Sequence, residues 1–231
     1  MTEAEWLACT DPEQMLIHLR PKAGKRKRRL FMIACCRRVW PLLSDQRSRE
    51  AVEFAEGYVE GNSNLREMKA IRKVAEQAYR DTQKKFMQGA TSQAVALAAC
   101  CATGPVQESK DQFEVADAAC AQWAIDALVA DAGNEDARSV QMAAHCQLIR
   151  DIFGNPFRRV ALDPAWLQWN GGTVRKMAEA IYDDRAFDRL PILADALEEA
   201  GCTDRAVLDH CRGSGAHVRG CWVIDLLLGK E

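Results

Sequence analysis

No part of the 231-residue chain is expected to cross a membrane. The uncharged segment 86–107 is interrupted by Gln, Ser, Thr, Gly and Pro, whereas a span needs about 20 mostly apolar residues in a row. An excess of one charge is also missing: 31 Lys and Arg face 33 Asp and Glu, a net of −2. This excludes binding to nucleic acid through overall charge. An export signal is not expected, because residues 1–10 are acidic and the apolar run Leu30–Cys36 is short and followed by Arg37 and Arg38. The ten cysteines are therefore expected to be reduced thiols of a cytoplasmic protein. A complete catalytic signature is absent too. Gly213-Ser214-Gly215 has no preceding strand and no Gly-x-x-x-x-Gly-Lys-Ser/Thr pattern, so it reads as a turn.

What remains is helical punctuation on an ordinary globular composition, 48% hydrophobic and 28% charged. Asp11-Pro12 looks like an N-cap followed by proline in the first turn, with Gln14 placed for a capping box. Residues 25–43 should form a helix whose centre, Leu30–Cys36, is apolar on every face and hence buried all round; a buried strand is the alternative. Further helices are expected after the Ser44-Asp45 cap, bearing Val52, Ala55 and Val59 and broken by Gly57, Gly61 and Asn62, and over 65–86, 93–103, 112–131 and 135–153. After the break at Gly154-Asn155-Pro156 come an Asp163-Pro164 start and helices over 173–183, 190–200, 203–211 and 218–228. Gly201 is placed to close one of them as a C′ residue. The pattern specifies an all-α protein of about nine to eleven helices. It reads as a multi-helix bundle over 1–153 with a small C-terminal helical cap over 154–231 packed on it, one continuous domain being the alternative.

Several motifs carry a resemblance. Trp6-Leu7-Ala8-Cys9-Thr10-Asp11-Pro12, Arg29-Leu30-Phe31, Ala34-Cys35-Cys36-Arg37-Arg38, Arg150-Asp151-Ile152-Phe153-Gly154-Asn155-Pro156-Phe157-Arg158, Asp163-Pro164-Ala165-Trp166-Leu167 and the chain from Ala180 to Glu231 resemble a lineage-expanded family of uncharacterised bacterial proteins. The resemblance covers both ends and leaves 65–138 unmatched. It brings no reaction. A family of many paralogues implies a recognition module.

Three readings of function stay open. The first is a non-enzymatic module that binds another protein, with Arg212, Arg219 and Trp222 on its docking surface. The second is nucleic-acid binding through the basic run Lys25, Arg26, Lys27, Arg28 and Arg29. That run lies in the net +5 stretch 1–50, on a remainder of −7, and basic residues in a first helical turn oppose the helix dipole. The third is a metalloprotein or thiol enzyme built on His210, Cys211, His217 and Cys221. No cofactor is expected, zinc being the alternative that these soft donors suit. His217 and Cys221, four apart, share a face if helical. His210 and Cys211 are adjacent and point about 100° apart on a helix, so both could bind only if the helix ended between them. Capping, packing and hydrogen-bonded histidines are the plain alternative.

Overall fold

A computed structural model describes residues 1–20, 22–84, 90–104, 116–134 and 136–230. The expected helix end at Phe86–Gly89, the expected start at Gln112 with Phe113, and Glu135 lie outside them. Among the described residues the protein is all-α, as expected, with thirteen α-helices and no strand. It forms two compact units, Met1–Cys146 and Gln147–Glu231. The division falls inside a helix, seven residues before the Gly154 turn where the sequence suggests a break.

The N-terminal unit runs through α1 (Glu3–Ala8), α2 (Pro12–Leu19), α3 (Lys25–Arg38), α4 (Gln46–Val59), α5 (Leu65–Lys84), α6 (Ala90–Thr103), α7 (Ala116–Ala132) and the first part of α8 (Ala137–Phe153). Local chemistry starts several of them. Thr2 and Glu5 form a capping box on α1, a helix that the sequence reading does not include. The Asp11 side chain accepts from the Glu13 and Gln14 amides ahead of Pro12, and Asp45 caps α4 through the Arg47 amide. α3 is the spine. It packs against α4, α6 and α7, and every residue from Arg28 to Cys36 is buried. This bears out the reading of Leu30–Cys36 as apolar all round; the helix ends at Arg38 and a 3-10 turn, Trp40–Leu42, follows. α6 and α7 turn Ala98, Ala99, Ala102, Ala121 and Ala124 into the core, small side chains that permit close helix approach.

The C-terminal unit holds the end of α8, then α9 (Pro164–Gln168), α10 (Thr173–Asp184), α11 (Leu190–Glu199), α12 (Arg205–Arg212) and α13 (Trp222–Leu228). α10 packs on α9, α11 and α13, and α12 packs on α11 and α13. Their shared core includes Trp166, Ile181, Leu193, Leu197, Val207 and Ile224. α11 closes as expected at Gly201, whose φ is +88°. The Gly201 amide donates to the Glu198 carbonyl and the Cys202 amide to the Leu197 carbonyl, a Schellman closure that turns Cys202 inward, 1% exposed. Asp204 then caps α12 through the Ala206 and Val207 amides.

Candidate metal centre

Four polar side chains converge in the C-terminal unit: Asp151, His210, His217 and Cys221. One donor atom from each lies within 4.8 Å of all the others. Each arrives on a different piece of chain. Asp151 is in the last turn of α8, His210 is on α12, His217 is in the connection after it, and Cys221 is the N-cap of α13.

The surroundings hold them in place. Asp151 is 4% exposed. Its Oδ1 accepts from His217 Nδ1 at 2.6 Å, and its Oδ2 accepts from the Val218 amide at 3.0 Å. His210 Nε2 lies 3.2 Å from the same Oδ1 and 3.1 Å from Cys221 Sγ. The two imidazoles meet edge to face with centroids 4.8 Å apart, and Trp222 covers His210 at 5.2 Å. Trp222 gets that close because Gly154 closes α8 with φ +66° and no side chain; a Cβ there would stand 3.1 Å from Trp222 Cγ. Glycine is required twice at this position, for the left-handed backbone and for the close approach.

The electrostatics are unusual for a packing cluster. Burial works to raise the Asp151 pKa, but the hydrogen bonds from His210 and His217 outweigh it and hold the carboxyl below its ordinary value. Burial, reinforced by Asp151, pushes the Cys221 thiol well up. His217 Nε2 is buried with no hydrogen-bond partner. One carboxylate thus serves two imidazoles beside a buried thiol, and a ring lone pair is left over.

The sequence reading is corrected in two places. Cys211 is not among the converging donors. α12 continues through both His210 and Cys211, so the two point apart, and Cys211 sits in the core, 0% exposed, its thiol pushed up to about 12 chiefly by burial. The fourth donor is Asp151, about 60 residues earlier in the chain, which no local spacing could indicate. His217 and Cys221 do meet, but not on a shared helix face: α13 begins only at Trp222, and the non-helical segment 213–221 folds back to bring them together.

The other singled-out residues are placed as follows. Arg212 is engaged by Asp195 and Glu198 at 2.7 and 2.6 Å. Arg219 lies over the Tyr182 ring at 5.3 Å and reaches the Asp183 carbonyl. Trp222 packs on Gly154 and His210. Arg212 is exposed and its two ion pairs lie at the surface, whereas Arg219 and Trp222 are half-buried. The basic run winds around α3 in the other unit. Lys25 is exposed, Arg28 is buried against Asp117 at 2.8 Å, and Arg29 is buried against backbone carbonyls. Cys35, Cys36 and Cys120 are buried core residues.

Fold and site together describe a helical protein with a compact three-residue-type donor cluster. No family model, no curated protein and no solved structure matches the chain.

Proposed function

We propose that the C-terminal unit is a metal-stapled helical module that binds one Zn2+ through Asp151, His210, His217 and Cys221. The observation that carries this reading is convergence on a point. A thiol–imidazole–carboxylate relay needs the thiol at one ring nitrogen and the carboxylate at the other. Here His210 Nε2 faces both Cys221 Sγ and Asp151 Oδ1, so the three cannot pass a proton in line, whereas a central cation would satisfy all of them. Donors at zinc bond lengths in a tetrahedron stand about 3.3–3.7 Å apart, near the 3.1 and 3.2 Å observed. Ligation through His217 Nδ1 would move that nitrogen's proton to Nε2, the buried atom with no hydrogen-bond partner, and replace the 2.6 Å His217–Asp151 hydrogen bond with bonds to the ion. Charge balances as well: a carboxylate, a thiolate and two neutral imidazoles around Zn2+ sum to zero, which suits a buried site. Binding converts the Cys221 thiol to a zinc thiolate and releases its proton to solvent.

Four side-chain donors fill a tetrahedral shell and leave no open position for substrate, the pattern of a structural ion. This supports a non-enzymatic module whose working partner is another protein. Thiolate ligation and free cysteines support a reducing, cytoplasmic setting.

Cobalt titration of the chelator-stripped full chain tests the metal. One equivalent is expected to bind with a cobalt–thiolate charge-transfer band and tetrahedral visible bands. Cys221→Ser should lose the charge-transfer band, and Asp151→Asn should weaken binding. Cys211→Ala should keep both band and stoichiometry, since that thiol lies on another face of α12. Helical circular dichroism confirms that each variant is folded. Failure of stripped, folded wild-type protein to bind cobalt or zinc stoichiometrically, or an unchanged spectrum in Cys221→Ser, rejects the site.

A further inference from the structure

A second surface lies in the N-terminal unit and does not depend on the metal. α5 is the longest helix among the described residues, 20 residues from Leu65 to Lys84. Its buried side chains, Met68, Ala75, Ala78 and Thr82, share one face at helical spacing. On the opposite face stand Arg66, Lys69, Lys73, Gln77, Arg80 and Lys84, all exposed. At about 100° per residue these six fall within about 80° of one another, and from Arg66 to Lys84 the row runs about 27 Å. Its one uncharged member, Gln77, donates to Asp81.

The acids of α5 are all engaged off this row. Glu67 accepts from the Asn64 amide, Glu76 from Arg72 Nε at 2.8 Å, and Asp81 from Arg47 Nη1 at 2.8 Å. Among the described residues, the side chains of Arg66, Lys69, Lys73, Arg80 and Lys84 form no ion pair and no hydrogen bond, apart from the pull of Lys84 on the nearby Asp81 carboxylate. Like charges three and four residues apart, as in Arg66, Lys69 and Lys73 and again in Arg80 and Lys84, disfavour a helix locally, and Arg66 in the first turn also opposes the helix dipole. A row that works against its own helix is a sign of use outside it.

We propose that this face of α5 docks on the phosphate backbone of duplex nucleic acid, without regard to base sequence. A duplex carries one negative charge per about 1.7 Å of its axis, so a straight row of five cations meets several phosphates at once. The row has no aromatic platform of the kind that holds single strands, and its only amide is tied to Asp81. A protein partner is disfavoured because the centre of such an interface is apolar or aromatic and poor in lysine. An anionic bilayer is disfavoured because the apolar face of α5 is buried in the unit, and the exposed Leu65 and Val74 lie off the row on either side. The surface is distinct from the basic run of α3, in which Arg28 and Arg29 are buried.

The test is a fluorescence-anisotropy titration of a short labelled duplex with the full chain over a series of salt concentrations. The logarithm of the binding constant should fall against the logarithm of salt with a slope of about −3 to −4, and duplexes rich in A·T or G·C should bind alike. Lys69→Gln with Lys73→Gln and Arg80→Gln should weaken binding at low salt at least tenfold and make the slope shallower by about 2 to 3. Arg175→Gln with Arg189→Gln and Arg205→Gln removes the same charge from the other unit and should leave the slope unchanged. Circular dichroism confirms that both variants are folded. The proposal is overturned if the duplex does not bind at low salt, or if the slope survives in the α5 variant or falls equally in the control. It is overturned too if a single strand of equal length, polyglutamate or phosphatidylserine vesicles bind more tightly than the duplex. None of these outcomes bears on cobalt binding in the other unit.

Discussion

The two units bury charge in opposite ways. In the N-terminal unit, a buried and a half-buried cation are each met by one carboxylate. Arg28 pairs with Asp117, and Arg37 forks onto Glu56 at 2.9 and 2.7 Å while stacking over Trp40 at 3.9 Å. The C-terminal unit instead brings four donors onto one spot, where a single carboxylate must answer two imidazoles. Paired charge closes on itself and asks for nothing further. Converging donors with a leftover ring nitrogen are the geometry on which the proposed cation site rests. Arg29 is handled differently again: among the described residues its guanidinium meets the backbone carbonyls of Ala102 and Gly104 instead of a carboxylate.

The contrast can be broken most forcefully at Asp117. Asp117→Leu removes the carboxylate that Arg28 meets at 2.8 Å in the interior and should lower unfolding free energy by about 3–5 kcal/mol in denaturant titrations. Adding Arg28→Met should recover most of that loss, because a matched pair can be exchanged for apolar bulk. If the double variant is no better than the single, charge pairing is not what the pair contributes.

A second, smaller effect comes from His145, 0% exposed. Its Nδ1 contacts the Gln141 carbonyl at 2.8 Å, and its Nε2 is buried without a partner. Burial, with Arg38 nearby, lowers its pKa to about 4. The proton is therefore held more tightly by the unfolded chain. Stability is unaffected above pH 6.5 and is lost as pH falls from there toward 4, by about 3 kcal/mol in all. His145→Gln should flatten stability over that window; an equally steep decline in the variant would place the proton uptake elsewhere.

The smallest test compares two glycines. Gly133 and Gly154 both have positive φ, +62° and +66°, but a Cβ at Gly133 meets nothing within 4 Å while one at Gly154 meets Trp222. Gly133→Ala should cost about 1 kcal/mol for its backbone alone. Gly154→Ala should cost measurably more in thermal melting, and should also weaken cobalt binding, because Trp222 adjoins Cys221 and covers His210. Equal losses at the two positions would mean that Trp222 has room to move and that Gly154 does not brace the cluster.

The helices were readable because their signals are local. Asp11 before Pro12, Asp204 before α12 and Gly201 after α11 act within a few residues, and Leu30–Cys36 announces its burial by having no polar face. Short elements without such a signature, such as α1, escaped, and so did the true start of α13, since Val218 continues an apolar pattern that the backbone does not follow. For the cluster, the sequence showed that His210, His217 and Cys221 were available. It also placed His210 and Cys211 on diverging directions, which is why Cys211 falls away.

Local periodicity and capping chemistry alone thus determined that this chain is helical, where most of its helices begin and end, and which soft donors crowd its tail. Only the tertiary structure could decide that Asp151 completes their cluster, and that Arg28 meets an acid while, among the described residues, Arg29 meets backbone carbonyls. Those outcomes depend on which distant segments pack together. Donor convergence and charge matching are set by distances across the fold, and residue spacing along a helix does not encode them.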